Sequence, residues 1–237
     1  MPTLSILHLR RAAVLLAVAL TLLMAPAAAP AESELEPVLD RMDATAAAFR
    51  SAQADFVWDQ YQKVVDETDT QKGRVFFRRR GSETEMAADI FHPDRKYVLF
   101  TGGKVRVYQP RIDQVTEYQT GKNREEVESF LILGFGGRGH DLLKSFEVRY
   151  VGAEGVDGRR TAVIELIPRS QKARGVFNRI LLWIDLEHGI SLKQQLFEPS
   201  GDHRTARYTG IRMNEKIPDD AFRLKTTGKT RVVSPEG

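Results

Sequence analysis

The chain has 237 residues, with 35 Lys or Arg and 32 Asp or Glu, so its formal net charge at pH 7 is +3. This small positive excess argues against a protein that binds nucleic acid or another polyanion through charge. The sequence contains no cysteine, which excludes a disulfide framework, a thiolate metal site and a cysteine nucleophile.

The first residues have the composition of an export signal. Arg10 and Arg11 form a positive segment, residues 12–24 form a short apolar run, and Ala29-Pro30-Ala31 fits a cleavage site. The apolar run is too short to span a bilayer comfortably. We therefore predict a cleaved signal peptide over residues 1–31 and a single mature domain over residues 32–237. An uncleaved N-terminal anchor is the alternative.

An amphipathic helix is predicted at the start of the mature chain. Apolar residues recur at helical spacing from Leu35 to Phe49 and form one stripe. From Ala54 the period changes to two, so that Phe56 and Trp58 lie on one face of a half-buried strand.

Further strands follow in two groups. Short, turn-like breaks separate them, which favours antiparallel pairing. The clearest hairpin is at Gly102 and Gly103, because paired glycines supply the positive φ that a two-residue turn needs. The predicted strands cover residues 73–80, 83–91, 96–101, 104–109 and 114–118, and then 147–153, 160–167, 179–185, 191–198 and 204–213.

Between the two groups the pattern is helical. Residues 124–134 and 141–146 predict two helical segments. Residues 218–225 are expected to be extended, and the tail from about Thr226 is expected to fray because it has few large apolar residues. We predict a mainly β fold of the α+β class, in which about eleven antiparallel strands curl under their own twist. An N-terminal helix and a mid-chain helical lid are expected to cover this sheet.

Groups placed for catalysis are scarce. No H-E-x-x-H or G-x-S-x-G motif is present, and the acidic stretch 66–69 lacks the glycine and closing glutamate of a calcium loop. We therefore expect no enzyme activity, no metal and no cofactor, with a hydrolase of unrecognised site as an alternative. The histidines of the mature chain, for which no metal role is expected, are His92, His140, His188 and His203.

Residues 134–139 match the G-x-G-x-x-G pattern of dinucleotide-binding turns. That pattern binds a dinucleotide when it follows a strand and opens a long helix, whereas here a predicted helix precedes it. We therefore reject a nucleotide site. We predict a flexible joint, and in its sharper form a lid hinge, at Gly134, Gly136, Gly137 and Gly139.

Several stretches, in their order and spacing, resemble one protein family. Residues 73–79 combine a strand glycine with aromatic residues and a basic end, residues 97–110 form a hairpin that closes on aromatic-x-proline, and residues 217–222 form a closing segment. From about Leu35 to Lys225 the chain resembles the outer-membrane lipoprotein carrier (LolA) family. The resemblance implies an open half-barrel sheet with helices as a lid over an apolar cavity, in a protein located in the periplasm.

The resemblance also implies a function. Carriers of this family take acylated lipoproteins from an inner-membrane ABC exporter and hand them to an outer-membrane receptor, so we expect a monomeric periplasmic carrier with acylated lipoprotein or lipid as cargo. Arg79 matches the family's functional arginine, which hydrogen-bonds a lid helix in the closed state, although Arg80 stands where the family usually has proline. The alternatives are a periplasmic lipid-binding sensor or regulatory interaction module, or a carrier of another lipid, on the same half-barrel.

Period-two spacing and the lid assignment predict which apolar side chains line the cavity. A slip of one residue would turn the opposite set inward. The predicted lining residues are Phe56, Trp58, Phe77, Val98, Phe100, Val105, Val107, Phe130, Leu131, Leu142 and Trp183.

Overall fold

The computed structural model describes residues 31–81, 83–121 and 133–235. These residues belong to one compact unit, Ala31–Gly237. The predicted signal peptide, apart from Ala31, lies outside them. Within the described part of the chain, no helix has both the length and the apolar character needed to cross a membrane.

The described residues form three helices and twelve strands. Helix α1 spans Ala31–Ala48, α2 spans Gly139–Ser145 and α3 spans Gln171–Arg174. The strands are β1 (Ser51–Gln62), β2 (Glu67–Arg80), β3 (Glu83–His92), β4 (Lys96–Thr101), β5 (Lys104–Gln109), β6 (Gln114–Gln119), β7 (Phe146–Val156), β8 (Arg159–Pro168), β9 (Arg179–Asp185), β10 (Ser191–Phe197), β11 (His203–Met213) and β12 (Arg231–Val233).

All twelve strands form one sheet, in the order β12-β6-β5-β4-β3-β2-β1-β11-β10-β9-β8-β7. Neighbouring strands are antiparallel, except that β12 and β6 are parallel. Strands β12 and β7 are the two edges, so the sheet is open. The predicted fold class is confirmed, and the sheet has one strand more than the eleven expected.

The two-residue hairpin predicted at Gly102 and Gly103 joins β4 to β5. Thr101 pairs with Lys104 across it. The glycines have φ values of +58° and +71°, a conformation that residues with a Cβ rarely adopt.

Alternation along the strands gives the sheet two faces, and we call the face that contacts α1 the inner face. Helix α1 is held there by its apolar stripe, since burying each large side chain contributes about 1.5–3 kcal/mol. The buried residues on the inner face of β7 to β9, together with those of the segments packed on it, are Val38, Met42, Leu133, Phe146, Ala162, Ile164, Leu166, Phe177, Ile180, Leu182 and Ile184. The buried residues on the inner face of β1 to β4, together with those of the segments packed on it, are Phe49, Ala52, Ala54, Phe56, Val75, Phe77, Met86, Ile90, Phe100 and Phe135.

One glycine inside a strand has a packing role. Gly73 of β2 pairs with Phe56 of β1. A Cβ at Gly73 would lie 2.8 Å from the Phe56 ring and 2.5 Å from the Asp89 carbonyl oxygen. The close approach of the ring to the backbone therefore requires glycine at this position.

The C-terminal segment covers part of the outer face. Ile217 and Phe222 pack on Ala87 and Leu99 in a separate buried cluster. Residues 218–225 were expected to be extended, but they contain a 3₁₀ turn over Asp219–Phe222. The turn folds Phe222 back onto the sheet, where burial of its ring stabilises the segment.

The tail beyond Thr226 does not fray within the described residues, which corrects the sequence-based expectation. Strand β12 pairs in parallel with β6. Thr227 and Thr230 each donate a hydrogen bond of 2.6 Å to the Asp113 carboxylate. Backbone and hydroxyl hydrogen bonds therefore hold the tail, and these contacts do not require the large apolar residues that the tail lacks.

Candidate functional site

The structure brings most of the predicted cavity residues onto the inner face. Ala52 of β1 pairs with Phe77 of β2. Ala54 and Phe56 follow Ala52 at a spacing of two, so the side chains of all four residues lie on one face of the sheet. Val98 pairs with Val107, and Phe100 pairs with Val105. The predicted residues that lie together on this face are Phe56, Trp58, Phe77, Val98, Phe100, Val105 and Val107.

Leu142 lies on α2 and packs against the other half of the inner face, beside Phe146. Phe130 and Leu131 lie outside the described residues. Their place in the site therefore stays a prediction.

Trp183 lies on the outer face, contrary to the prediction. Leu182 and Ile184 point inward, while Trp183 packs with Val163 in a separate outer cluster. Its indole N–H donates to Glu154, and the Lys193 ammonium lies 3.9 Å from the ring centroid. Residues 180–184 are apolar without alternation, so sequence spacing alone does not indicate which side chains of β9 point inward.

Phe135 fills the inner face, although sequence reasoning did not place it among the lining residues. Its ring stacks on Phe77 with centroids 4.8 Å apart and an interplanar angle of 12°. It also meets Tyr208 edge-on at 4.8 Å. Only 1% of Phe135 is exposed. The sequence signal for Phe135 was its position at the end of the apolar run 130–135, which overlaps the start of the glycine-rich segment.

A short polar network supports the segment that carries Phe135. The Tyr208 hydroxyl donates to Gln194 Oε1 at 3.3 Å, and Gln194 Nε2 donates to the Leu133 carbonyl oxygen at 2.5 Å. The Ser191 backbone N–H donates to the Gly134 carbonyl oxygen at 2.9 Å. Burial raises the pKa of Tyr208 far above its ordinary value, so this hydroxyl keeps its proton.

The glycine-rich segment, residues 134–139, is packed closely against its neighbours. A Cβ at Gly134 would lie 2.3 Å from Ser191 Cβ, and one at Gly136 would lie 2.5 Å from the Phe49 ring. A Cβ at Gly139 would lie 2.6 Å from the Leu39 carbonyl oxygen. Gly137 is half-buried. Glycine allows this segment to sit against α1 and β10, while a hinge role stays a prediction.

Arg79 links three parts of the inner side. From the end of β2 it donates to the Ala46 carbonyl oxygen of α1 at 3.0 Å and to the Gly136 carbonyl oxygen at 3.1 Å. Its guanidinium lies 5.6 Å from the centroid of the Phe49 ring. We call α1, the glycine-rich segment and α2 the cover, and Arg79 fastens two of these pieces to the sheet.

One small pocket lies between the described parts of the cover and the sheet. A cavity of about 140 Å³ lies among Met42, Leu133, Leu142 and Phe146. An apolar cavity of about 150 Å³ holds a ligand the size of benzene. This pocket is therefore too small to hold a long acyl chain.

Trp58 carries a polar group on the inner face that has no partner among the residues described. The indole N–H of Trp58 is buried and makes no hydrogen bond with the described residues. Leaving a buried donor unsatisfied costs about 1–3 kcal/mol. The inner face thus offers an unpaired hydrogen-bond donor at Trp58, whose cross-strand neighbours are Gln71 and Ala206.

Comparison with known proteins agrees with this architecture. The outer-membrane lipoprotein carrier protein of Nitrosospira multiformis is 23% identical over 185 residues, which cover 78% of this chain and 83% of that protein. The uncharacterized protein MJ0687 of Methanocaldococcus jannaschii is 21% identical over 202 residues, which cover 85% of this chain and 52% of that protein. This chain therefore spans about half the length of MJ0687.

Among solved structures, the crystal structure of MucB superposes with a TM-score of 0.53 at 16% identity. The match covers 85% of this chain and 66% of MucB, and it shows a shared fold. The family model described as outer membrane lipoprotein carrier protein LolA matches residues 47–225. Because that match spans most of the sequence and includes Arg79, Phe135 and the whole inner face from β1 to β11, the chain belongs to the LolA family.

Proposed function

We propose that this protein is an exported periplasmic carrier that binds the acyl chains of lipoproteins against its inner face and shuttles them from the inner to the outer membrane. The observation that carries the proposal is that a separate aromatic group, Phe135, fills the apolar inner face of β1 to β4. Phe135 sits on a segment held by a few hydrogen bonds to backbone carbonyl groups.

The energetics favour exchange between Phe135 and an acyl chain. Burial of hydrocarbon contributes about 0.8 kcal/mol per methylene, so one long chain gains on the order of 10 kcal/mol before entropy costs. Exposing Phe135 costs about 3 kcal/mol. Each hydrogen bond given up costs about 1 kcal/mol, or about 1.5–3 kcal/mol when the donor is charged. Cargo can therefore displace the segment that carries Phe135.

The same contacts explain release. When cargo leaves, Phe135 returns to Phe77 and Tyr208, so the apolar face does not remain exposed to water. Arg79 then regains the Ala46 and Gly136 carbonyl groups. A carrier needs this second set of partners, because a permanently open apolar face would hold cargo too tightly or aggregate.

Trp58 supplies a polar contact for cargo. Its buried indole N–H is positioned to donate to a carbonyl oxygen of an ester or amide at the head of an acyl chain. Such a bond would remove the cost of an unsatisfied donor. The proposal includes an inner-membrane ABC exporter and an outer-membrane receptor as partners, with a cleaved signal over residues 1–31 for export and no catalytic step.

The second candidate is a periplasmic lipid-binding sensor or regulatory interaction module. One observation favours it: the described inner face is filled by Phe135, with a cavity of only about 140 Å³ beside it. A module that never opens would have this appearance.

Lipid uptake by the mature chain separates the carrier from a regulatory module that binds no lipid, and transfer of the bound lipopeptide to outer-membrane vesicles separates the carrier from a lipid-binding sensor. The mature protein is incubated with a synthetic triacylated lipopeptide, re-isolated and analysed by native mass spectrometry. A carrier forms a stoichiometric complex, and Phe135→Ala binds more tightly. Phe222→Ala is the matched control, because Phe222 is a buried phenylalanine of the outer side. Absence of a complex for both the wild type and Phe135→Ala would favour the regulatory module.

A further inference from the structure

His140 connects the two helical pieces of the cover. It lies in α2, and its Nδ1 is 3.0 Å from Asp43 Oδ2 on α1. Its Nε2 is 2.9 Å from Glu36 Oε1, also on α1. Its backbone N–H donates to Asp43 Oδ1 at 3.2 Å. Both ring nitrogens therefore face carboxylate oxygens on the neighbouring helix.

This geometry suits an imidazolium ring and penalises a neutral one. A neutral imidazole has one N–H, so one of its nitrogens would direct a lone pair at a carboxylate oxygen. The doubly protonated ring donates to both carboxylates in charge-assisted hydrogen bonds. Hydrogen bonds to Glu36 and then to Asp43 raise the pKa of His140 above its ordinary value, and partial burial opposes them.

The surrounding charges support this state. Burial acts to raise the pKa of Asp43, but hydrogen bonds from Arg138 and His140 outweigh it and hold that pKa below the usual range. Arg138 lies 3.0 Å from the Asp43 carboxylate. The other charged side chains that the structure describes on these helices are Glu34, Asp40 and Arg41 on α1 and the Asp141–Lys144 ion pair, with a 2.8 Å separation, on α2.

Strand β7 packs against both helices and adds little net charge at this end. Its Glu147 and Arg149 form an ion pair with each other. The carboxylates of α1 consequently exceed the cations that face them, so a proton on His140 has a clear electrostatic benefit.

We propose that His140 is a proton-operated latch, which holds α2 and the adjoining glycine-rich segment on α1 when the ring is protonated and releases them when it is neutral. The latch holds α2, and the glycine-rich segment with Phe135 leads directly into that helix. Phe135 lies only five positions before His140 in the chain. Protonation therefore favours the closed cover, and loss of the proton favours opening.

The latch acts on the cover whether or not lipid is the cargo, although its use in transport depends on the proposed carrier function. Its sign is fixed by linkage. A group whose pKa is raised in the closed state stabilises that state below its open-state pKa, and this stabilisation is lost as the pH rises through the closed-state pKa. Opening should therefore increase from acidic to alkaline pH.

Two independent measurements on the mature chain test the latch. NMR titration of the ring gives the closed-state pKa of His140, with His92, an exposed residue, as internal reference. Hydrogen exchange from about pH 5 to about pH 9 gives protection factors for α2 relative to β9. For each unit by which the pKa of His140 exceeds 6.5, the opening constant of α2 must rise about tenfold between the acidic and alkaline limits.

Substitutions identify the group that causes the pH dependence of α2 protection. His140→Gln should remove the pH dependence of α2 protection, and Glu36→Gln should reduce it while the ring remains. His92→Gln, the matched control, should leave it unchanged. The latch is overturned if His140 titrates at its ordinary value, or if His140→Gln keeps the full pH dependence. Neither measurement involves lipid, so the carrier proposal can fail while the latch stands, and the reverse.

Discussion

Arg78 and Arg79 are neighbours in β2 that fasten opposite faces of the sheet. Arg79 donates to the Ala46 and Gly136 carbonyl oxygens on the inner side. Arg78 pairs with Glu85 at 2.6 Å and with Asp219 on the outer side. Each arginine thus holds a different covering segment, and the pair provides a test of the cover with a control one residue away.

Arg79→Leu should weaken the closed cover and impair cargo release. The variant loses two hydrogen bonds from a charged donor, each worth about 1.5–3 kcal/mol, and these bonds exist only when the cover is closed. Lipopeptide affinity should therefore rise by about tenfold or more, while transfer to outer-membrane vesicles slows. Fluorescent lipopeptide titration and a transfer assay measure both quantities.

Arg78→Leu is the control for this experiment. It should lower the free energy of unfolding, because it removes the ion pairs of Arg78 with Glu85 and Asp219, but it should not change lipopeptide affinity. Equal effects of the two variants on affinity would show that Arg79 acts only through overall stability.

Phe135→Ala should expose the inner face. Removing a buried phenylalanine costs about 3–5 kcal/mol of stability, and the vacated space should take up a hydrophobic fluorescent probe. Phe222→Ala should cost a similar amount without binding more probe. If the two variants bind equal amounts of probe, the extra binding comes from general loosening.

Gly136→Ala should open the cover through a steric clash. Gly136 has φ of +77°, and an added Cβ would lie 2.5 Å from the Phe49 ring. Gly158 has the same φ of +77° with no neighbour within 4 Å of its Cβ position. Gly158→Ala therefore carries only the backbone penalty of about 1 kcal/mol, and the excess loss in Gly136→Ala, measured by urea unfolding, reports the contact with Phe49.

Trp58→Phe should have opposite effects on the empty and loaded protein. The change removes a buried donor without a partner, so the empty protein should be stabilised by about 1 kcal/mol. Lipopeptide with an ester or amide head should bind more weakly, while a plain hydrocarbon probe should bind as before. Trp183→Phe should instead destabilise the empty protein, because the Trp183 indole donates to Glu154. Unchanged lipopeptide affinity would remove Trp58 from the proposed site.

Acid should release the C-terminal tail before the sheet unfolds. Hydrogen bonds from Thr227 and Thr230 lower the pKa of Asp113 below its ordinary value. A lowered pKa means that this stabilisation is present above the unfolded-state pKa and is lost as the pH falls through the folded-state pKa. The protection factors of the β12 amides, taken relative to the intrinsic exchange rate at each pH, should fall in acid, and Asp113→Asn should show that lower protection already at neutral pH. A tail in Asp113→Asn with wild-type protection at neutral pH would contradict this assignment.

Local patterns sufficed to predict the helix from Leu35, the positions of most strands along the chain and the Gly102-Gly103 hairpin, because propensity, turn chemistry and alternation act over a few residues. The same alternation placed Phe56, Trp58 and Phe77 on one face, and family resemblance identified Arg79, whose contacts on the cover the structure then showed. Tertiary packing decided the rest. The apolar run around Trp183 has no alternation from which to choose a face, the tail is held by Asp113 more than 110 residues away, and Phe135 and His140 acquire their partners only when distant elements meet. Those contacts depend on how elements that are far apart in the sequence pack together, and the spacing of residues along one chain does not specify that packing.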